Sequence, residues 1–291
     1  MIKIIHSNIQ QICYDYTNFV ITRNRRFNKD NQYIAYIFRE RNFKDIVSCP
    51  ASNLHNEIDL FHERFSDIDY KADEWTKFKI YMIGQYEQVR KEYLQKVLDS
   101  LNLSVCPYCN RQYIFSADNG HKVSAQFDHF YSKTLYPYLA LSFYNLIPCC
   151  PICNKAKGED PIQINPYIED FGDNGKIQVD SLLNCILYDT DWNVEIKADD
   201  RCKTNIRAFA LDELYKKHKN YAHEIVLKSI ANQKGYFDGL RVAFKDMGIK
   251  TDSMIERILW GNDLNKDHLS DRPLSKMSLD ILRQLKEIHW E

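Results

Sequence analysis

The sequence predicts an α+β protein, predominantly helical, with one metal-stapled centre between helical N- and C-terminal regions. Three observations predict it. Apolar residues at steps of three and four run through Trp75, Phe78, Met82, Tyr86, Val89, Tyr93, Val97 and Leu101, one face of a long helix. Two Cys-x-x-C pairs, Cys106/Cys109 and Cys150/Cys153, bracket a stretch reading FDHFYSK at 127–133 and YNLIPCCPICNKAKG at 144–158. Residues 176–179 and 192–198 then alternate like short strands before helical spacing returns at 209–230. The chain therefore divides into a helical region 1–102, a centre 103–160 and a mostly helical region 161–291.

At 291 residues the chain is longer than one typical domain and can bury a sizeable core. Hydrophobic content of 44% against 27% charged is that of an ordinary soluble globular chain. No apolar run approaches the roughly 20 residues of a membrane span, and MIKIIHSNIQ lacks the continuous apolar region of a signal peptide. A cytoplasmic protein with no membrane role is expected. In that reducing setting cysteines bind metal where they cluster and pack where they are isolated. Cys13, Cys49, Cys185 and Cys202 stand at no ligand spacing and take no role. A net charge of −1, from 39 basic and 40 acidic residues, argues against coating nucleic acid by bulk charge. It leaves room for a local basic surface, which Lys133, Lys155 and Lys157 supply.

In the first region, RNRRFNK at 23–29 is a basic run that fits a solvated turn better than a phosphate contact. SCPASN at 48–53 reads as a loop between helices. Asp73 is expected to cap the long helix, predicted over 72–101.

In the centre, two Cys-x-x-C turns can supply four thiolates to one tetrahedral zinc. Two pairs without a thioredoxin-like βαβ pattern favour zinc over redox chemistry. Cys149 competes with Cys150 as a ligand, and Cys150 is preferred because both pairs then share a two-residue gap. Between the pairs lies Asp128-His129, followed by Asn145, with Asn154 nine residues beyond it. If 125–130 is extended, Asp128 and His129 point to opposite faces, one free for metal and the other for substrate. CPICNKAKG reads as a helix with Pro151 in its first turn and Gly158 as its stop, which puts Asn154 on the first turns. A carboxylate, an imidazole and two amides enclosed by a metal knuckle suggest a nuclease centre. The bland counterpart is a purely structural zinc knuckle.

The stretch from Cys106 to Gly158 resembles the HNH endonuclease family, whose ββα-metal core carries Asp-His at the end of its first strand. In that family an Asn follows in the second strand and a His or Asn nine residues later on the helix. Here the positions hold Asp128-His129, Asn145 and Asn154. The family's zinc-ribbon elaboration matches Cys106, Cys109, Cys150 and Cys153, while Ser132 departs from the Pro many members carry. The resemblance implies metal-dependent hydrolysis of phosphodiester bonds in DNA. Asp128 and Asn154 would hold a catalytic divalent ion, Mg2+ or Mn2+, through hard oxygen donors. His129 would take a proton from the attacking water, since an ordinary imidazole titrates near about pH 6.5. Asn145 is expected to hydrogen-bond the loop holding His129. Tyr131, Lys133, Lys155 and Lys157 are expected to meet nucleic-acid phosphates.

The last region opens on a turn-rich wrapping loop at 158–176, and TDW at 190–192 is the turn before the second predicted strand. Asp212 is a candidate cap. His218 and His223, five apart, suit no shared metal and read as helix-surface or core histidines. Smaller helical patterns follow at 255–260 and 279–288. Pro273 breaks the chain between them, and Ser278 can cap the last. There is no repeat and no low-complexity segment. With PYCNRQYI, YPYLALSFYNLIP and RPLSKMSLDI, the chain resembles, more loosely, the nuclease subunits of Septu-type bacterial anti-phage systems and related retron-associated HNH proteins. That likeness implies an effector nuclease acting on phage or plasmid DNA with a companion ATPase of the ABC/SMC-like type. The alternative is a zinc-stabilised nucleic-acid-binding or ATPase-docking subunit with no cleavage of its own.

Overall fold

The computed structural model describes residues 1–23, 30–117, 122–188, 190–232, 234–248 and 252–287. The chain is α+β and mostly helical, with three two-stranded antiparallel sheets among the described residues. No described helix is long and apolar enough to cross a membrane. The chain gathers into two compact units, each assembled from separate stretches. One comprises Ile4–Leu103 and Ile114–Ile168; the other comprises Met1–Lys3, Ser104–Tyr113 and Glu169–Glu291.

The first unit holds α1 (Ile9–Arg23), α2 (Gln32–Ala35), which runs into a π-helical turn at Tyr36–Glu40, α3 (Phe43–Val47) and α4 (Leu54–Arg64). Then come α5 (Asp73–Glu92), α6 (Leu94–Leu101), β1 (Ser116–Ala117), β2 (Lys122–Val123), β3 (Gln126–His129), β4 (Leu146–Cys149) and α7 (Pro151–Lys157). The stripe Trp75, Phe78, Met82, Tyr86 and Val89 of α5 is buried, each side chain contributing roughly 1.5–3 kcal/mol of transfer free energy at most. The predicted single helix is two. Tyr93 leaves helical geometry at φ −138°, ψ −30°, its ring stacked on Phe19 at 4.3 Å. The hydrophobic rhythm nevertheless carries on through Leu94, Val97, Leu98 and Leu101. Asp73 is the first residue of α5 and not its cap. It pairs with Lys77 at 2.6 Å on the surface.

The segment between β3 and β4 is pinned to these helices. Tyr138 stacks on Phe61 at 4.0 Å. The Tyr16 hydroxyl donates to Leu141 O at 3.0 Å, and the Ser142 hydroxyl donates to Ile46 O at 2.7 Å. Phe130 N donates to Asn145 O at 2.9 Å and closes the 16-residue excursion, and β3 and β4 pair with Gln126 opposite Cys149 and His129 opposite Leu146. Helix α7 packs back against β3. It has the bounds the sequence predicts, starting at Pro151 and stopping at Gly158, whose φ of +54° suits glycine.

The second unit holds β5 (Gly175–Val179), α8 (Leu182–Leu187), β6 (Val194–Ala198), α9 (Asp200–Ala208), α10 (Leu211–Lys216), α11 (Lys219–Ala231), α12 (Lys234–Asp246), α13 (Asp252–Trp260) and α14 (Ser275–Glu287). Both expected strands form and pair, Ile177 opposite Ile196. Helices α8, α9 and α12 are additions to the expected set. Asp212 lies in the first turn of α10, whose cap is Ala210 at φ 50°. Helix α14 starts at Ser275, so Ser278 is internal and buried, with its hydroxyl 2.9 Å from the Tyr221 hydroxyl. The edge of β5 is covered by α14: Asp280 Oδ2 accepts from Ile177 N, and Gln284 both accepts from Val179 N and donates to Val179 O. Residues 24–29 of the basic run and residue 288 of the last pattern lie outside the described residues.

Candidate functional site

The four cysteines singled out by spacing come together. Cys106, Cys109, Cys150 and Cys153 are buried, and their Sγ atoms all lie within 4.8 Å of one another. None of the chain's described cysteines is in a disulfide. Bonds of about 2.3 Å from one tetrahedral zinc would set sulfurs about 3.8 Å apart, so the group fits one zinc ion. Each knuckle also turns a backbone amide onto a sulfur: Arg111 N donates to Cys109 Sγ and Cys153 N to Cys150 Sγ, both at 3.4 Å. Such donors favour the thiolate form a metal requires. The first knuckle closes through Asn110 N to Cys106 O at 2.7 Å and Cys106 N to Gln112 O at 2.9 Å. Cys149, one residue earlier on β4, is outside the group, which includes Cys150.

At the end of β3, Asp128 and His129 are 4% and 6% exposed. The His129 ring meets Tyr86 edge-on at 4.4 Å between centroids. Its Nε2 is 3.0 Å from Ala140 O. A carbonyl only accepts, so Nε2 carries the proton and Nδ1 keeps its lone pair. Burial, helped by the nearby charges of Lys133 and Lys157 and opposed by the bond to Ala140, pushes the His129 pKa down to about 3. The ring is therefore neutral in the physiological range with Nδ1 unprotonated, and burial makes it a weaker base than the ordinary imidazole the sequence reading assumes.

Asn145 is fully buried. Its Oδ1 accepts from Tyr131 N at 2.8 Å, and its Nδ2 donates to Tyr131 O at 3.1 Å and Leu139 O at 3.0 Å. One amide thus clamps both ends of the 131–139 segment, whose next residue supplies the carbonyl that holds His129. Asn154, on α7, donates from Nδ2 to Gln126 Oε1 at 2.6 Å, which leaves Oδ1 as the atom for a cation.

Asp128, His129, Asn154 and Lys133 line a single cleft of about 710 Å³. The remaining expected contacts are placed differently. Lys133 sits over the Tyr86 ring at 4.3 Å and pairs with Glu87 at 3.1 Å. Lys155 is exposed, but neither it nor Tyr131 lines the cleft. Lys157 corrects the sequence reading: it is 2% exposed, so it offers no surface to a nucleic acid. Its Nζ donates to His129 O at 2.8 Å and lies 3.4 Å from Asp128 Oδ1. The Nε2 atom of His218 accepts from Arg111 Nε at 2.8 Å.

Sequence reasoning missed the wall supplied by α5, where Tyr86, Glu87, Arg90 and Lys91 line the cleft. The signal was present in their spacing, since i, i+1, i+4 and i+5 share one side of a helix. Comparison with protein-family models, curated proteins and solved structures finds no match to this chain.

Proposed function

We propose that the chain is a metal-dependent HNH-type endonuclease hydrolysing phosphodiester bonds in DNA. The observation that carries this reading is one cleft in which a neutral imidazole, oriented by a backbone carbonyl, stands beside a carboxylate and an amide oxygen donor. The strand, strand, helix order of β3, β4 and α7 beside a four-cysteine group supports it.

The donor chemistry suits a hard cation. Mg2+ takes one or two protein oxygens and keeps several waters, and a cleft of about 710 Å³ has room for them. Asp128 and Asn154 would hold Mg2+ or Mn2+, which when bound neutralises charge on the phosphate and the departing 3′ oxygen. The chain's own residues do the rest. The Nδ1 atom of His129 takes a proton from water as its oxygen forms the new bond to phosphorus. The P–O3′ bond breaks, and solvent protonates the 3′ oxygen. Ala140 O keeps the ring in the required tautomer, and Asn145 keeps Ala140 in place. Lys133, Arg90 and Lys91 attract the phosphate backbone to the cleft.

By its looser likeness the chain is the effector nuclease of a bacterial anti-phage system, acting with an ABC/SMC-like ATPase. The test is nicking of supercoiled plasmid by the zinc-loaded chain, alone and co-purified with an ATPase encoded beside it. Cutting that requires added Mg2+ or Mn2+ supports the proposal. DNA binding without cutting under either metal, with the ATPase present, sinks it in favour of a binding subunit.

A further inference from the structure

Lys157 is a cation in a place where a surface lysine has no reason to be. Helix α7 ends at Gly158, and a lysine in its last turn could complement the helix dipole while remaining in water. Instead the side chain turns inward, 1% exposed, and the ammonium is taken out of solvent. Burying a charge is unfavourable unless partners replace the lost water. The partners here are the carbonyl of His129 at 2.8 Å and the carboxylate of Asp128 at 3.4 Å, two consecutive residues at the heart of the cleft. Lys157 is also three residues from Asn154, so one face of α7 carries both the amide that lines the cleft and the ammonium behind it.

Resting on the nuclease reading of this centre, we propose that Lys157 is a built-in counter-cation of the Asp128 site. It balances the carboxylate before metal loading and so sets the threshold at which a divalent ion enters. The geometry separates two roles. The hydrogen bond to His129 O fixes the backbone between the base and the metal ligand. The positive charge beside Asp128 opposes any further cation there, because like charges a few ångströms apart at low effective dielectric repel strongly. An incoming phosphodiester adds negative charge and relieves that opposition. Metal loading is thereby coupled to substrate arrival, which spares the centre from holding a reactive ion when no nucleic acid is present.

The experiment is Mn2+ binding to the full zinc-loaded chain without nucleic acid, followed by electron paramagnetic resonance of free Mn2+. Zinc content and melting temperature check the fold of each variant. Lys157→Gln removes the charge but keeps a donor for His129 O, Lys157→Met removes both, and Lys157→Arg keeps the charge. Both neutral variants should bind Mn2+ about tenfold or more tightly than the wild type, and Lys157→Arg should stay close to wild type. Lys157→Met should also cut more slowly at saturating metal. If Lys157→Met fails to fold, Lys157→Gln decides. Folded Lys157→Gln with unchanged or weaker Mn2+ binding overturns the inference while the nuclease reading survives. Failure of both neutral variants to fold overturns it too, because the ammonium is then a structural ion and not a threshold. If neither wild type nor Lys157→Gln takes up Mn2+, the reading of the centre fails and the inference falls with it.

Discussion

The carbonyl of Ala140 holds Nε2 of His129 at 3.0 Å, across eleven residues of chain. That carbonyl is the next after Leu139 O, which Asn145 grips at 3.0 Å. A base at the end of a strand is thus aimed by a loop, and the loop is aimed by one buried amide. We predict that Asn145→Ala slows cutting, but by less than loss of His129 itself. Removing the amide also leaves Tyr131 N and two carbonyls without their partner, so stability should fall by about 1–3 kcal/mol. Thermal melting and single-turnover cutting on the same samples check both effects. Wild-type cutting in a destabilised Asn145→Ala chain would break the link from loop to base.

The four-cysteine group predicts metal-dependent folding. Native mass spectrometry should show about one zinc per chain. Cys106→Ser should lower solubility and melting temperature together, because an unfolded chain holds no preformed site and zinc binding is folding free energy. Isolated Cys49, whose thiol burial pushes up to about 12, should resist alkylation in the folded protein. Unchanged melting after zinc is stripped would rule the group out as a structural site.

Base and ligand should separate in metal titrations. Asp128→Ala and Asn154→Ala are predicted to move the metal midpoint for cutting upward, and high Mn2+ should partly restore Asn154→Ala. His129→Ala should leave the midpoint nearly where it is. An equal shift for His129→Ala and Asp128→Ala would show that the roles are misassigned.

The α5 wall makes a prediction about affinity. Arg90 pairs with Glu87 at 2.7 Å and Lys133 pairs with the same carboxylate at 3.1 Å, so two cations share one anion at the cleft. Arg90→Ala and Lys133→Ala should each weaken DNA binding and lower the salt slope by about 1. Lys155→Ala, off the cleft, should do less. Salt slopes indistinguishable from wild type in both cleft variants would remove α5 from the binding surface.

What the sequence made legible follows from local chemistry. Pro151 and Gly158 bound α7 because proline suits a first turn and glycine a positive φ, and the cysteines met because two short turns suit one ion. Where reading by period failed, the period itself was the reason. Val89, Tyr93, Val97 and Leu101 continue at four-residue steps straight through the break at Tyr93, so only the stacking on Phe19 reveals it. Lys157 reads as solvent-facing by type, yet its ammonium is buried against His129 O and Asp128, long-range partners that leave no local trace. Unit boundaries were hidden because long-range pairings, such as Ile2 N to Pro107 O at 2.9 Å, leave no local trace.

The measurement closest to the central claim is the rate of plasmid nicking by His129→Ala against wild type at saturating Mg2+, with zinc content and DNA affinity matched. General-base removal typically costs about 10²–10⁴ in rate, and a loss in that range is predicted. Equal rates for the two proteins would contradict the assignment of His129 as the base and, with it, the HNH-type reading of the centre.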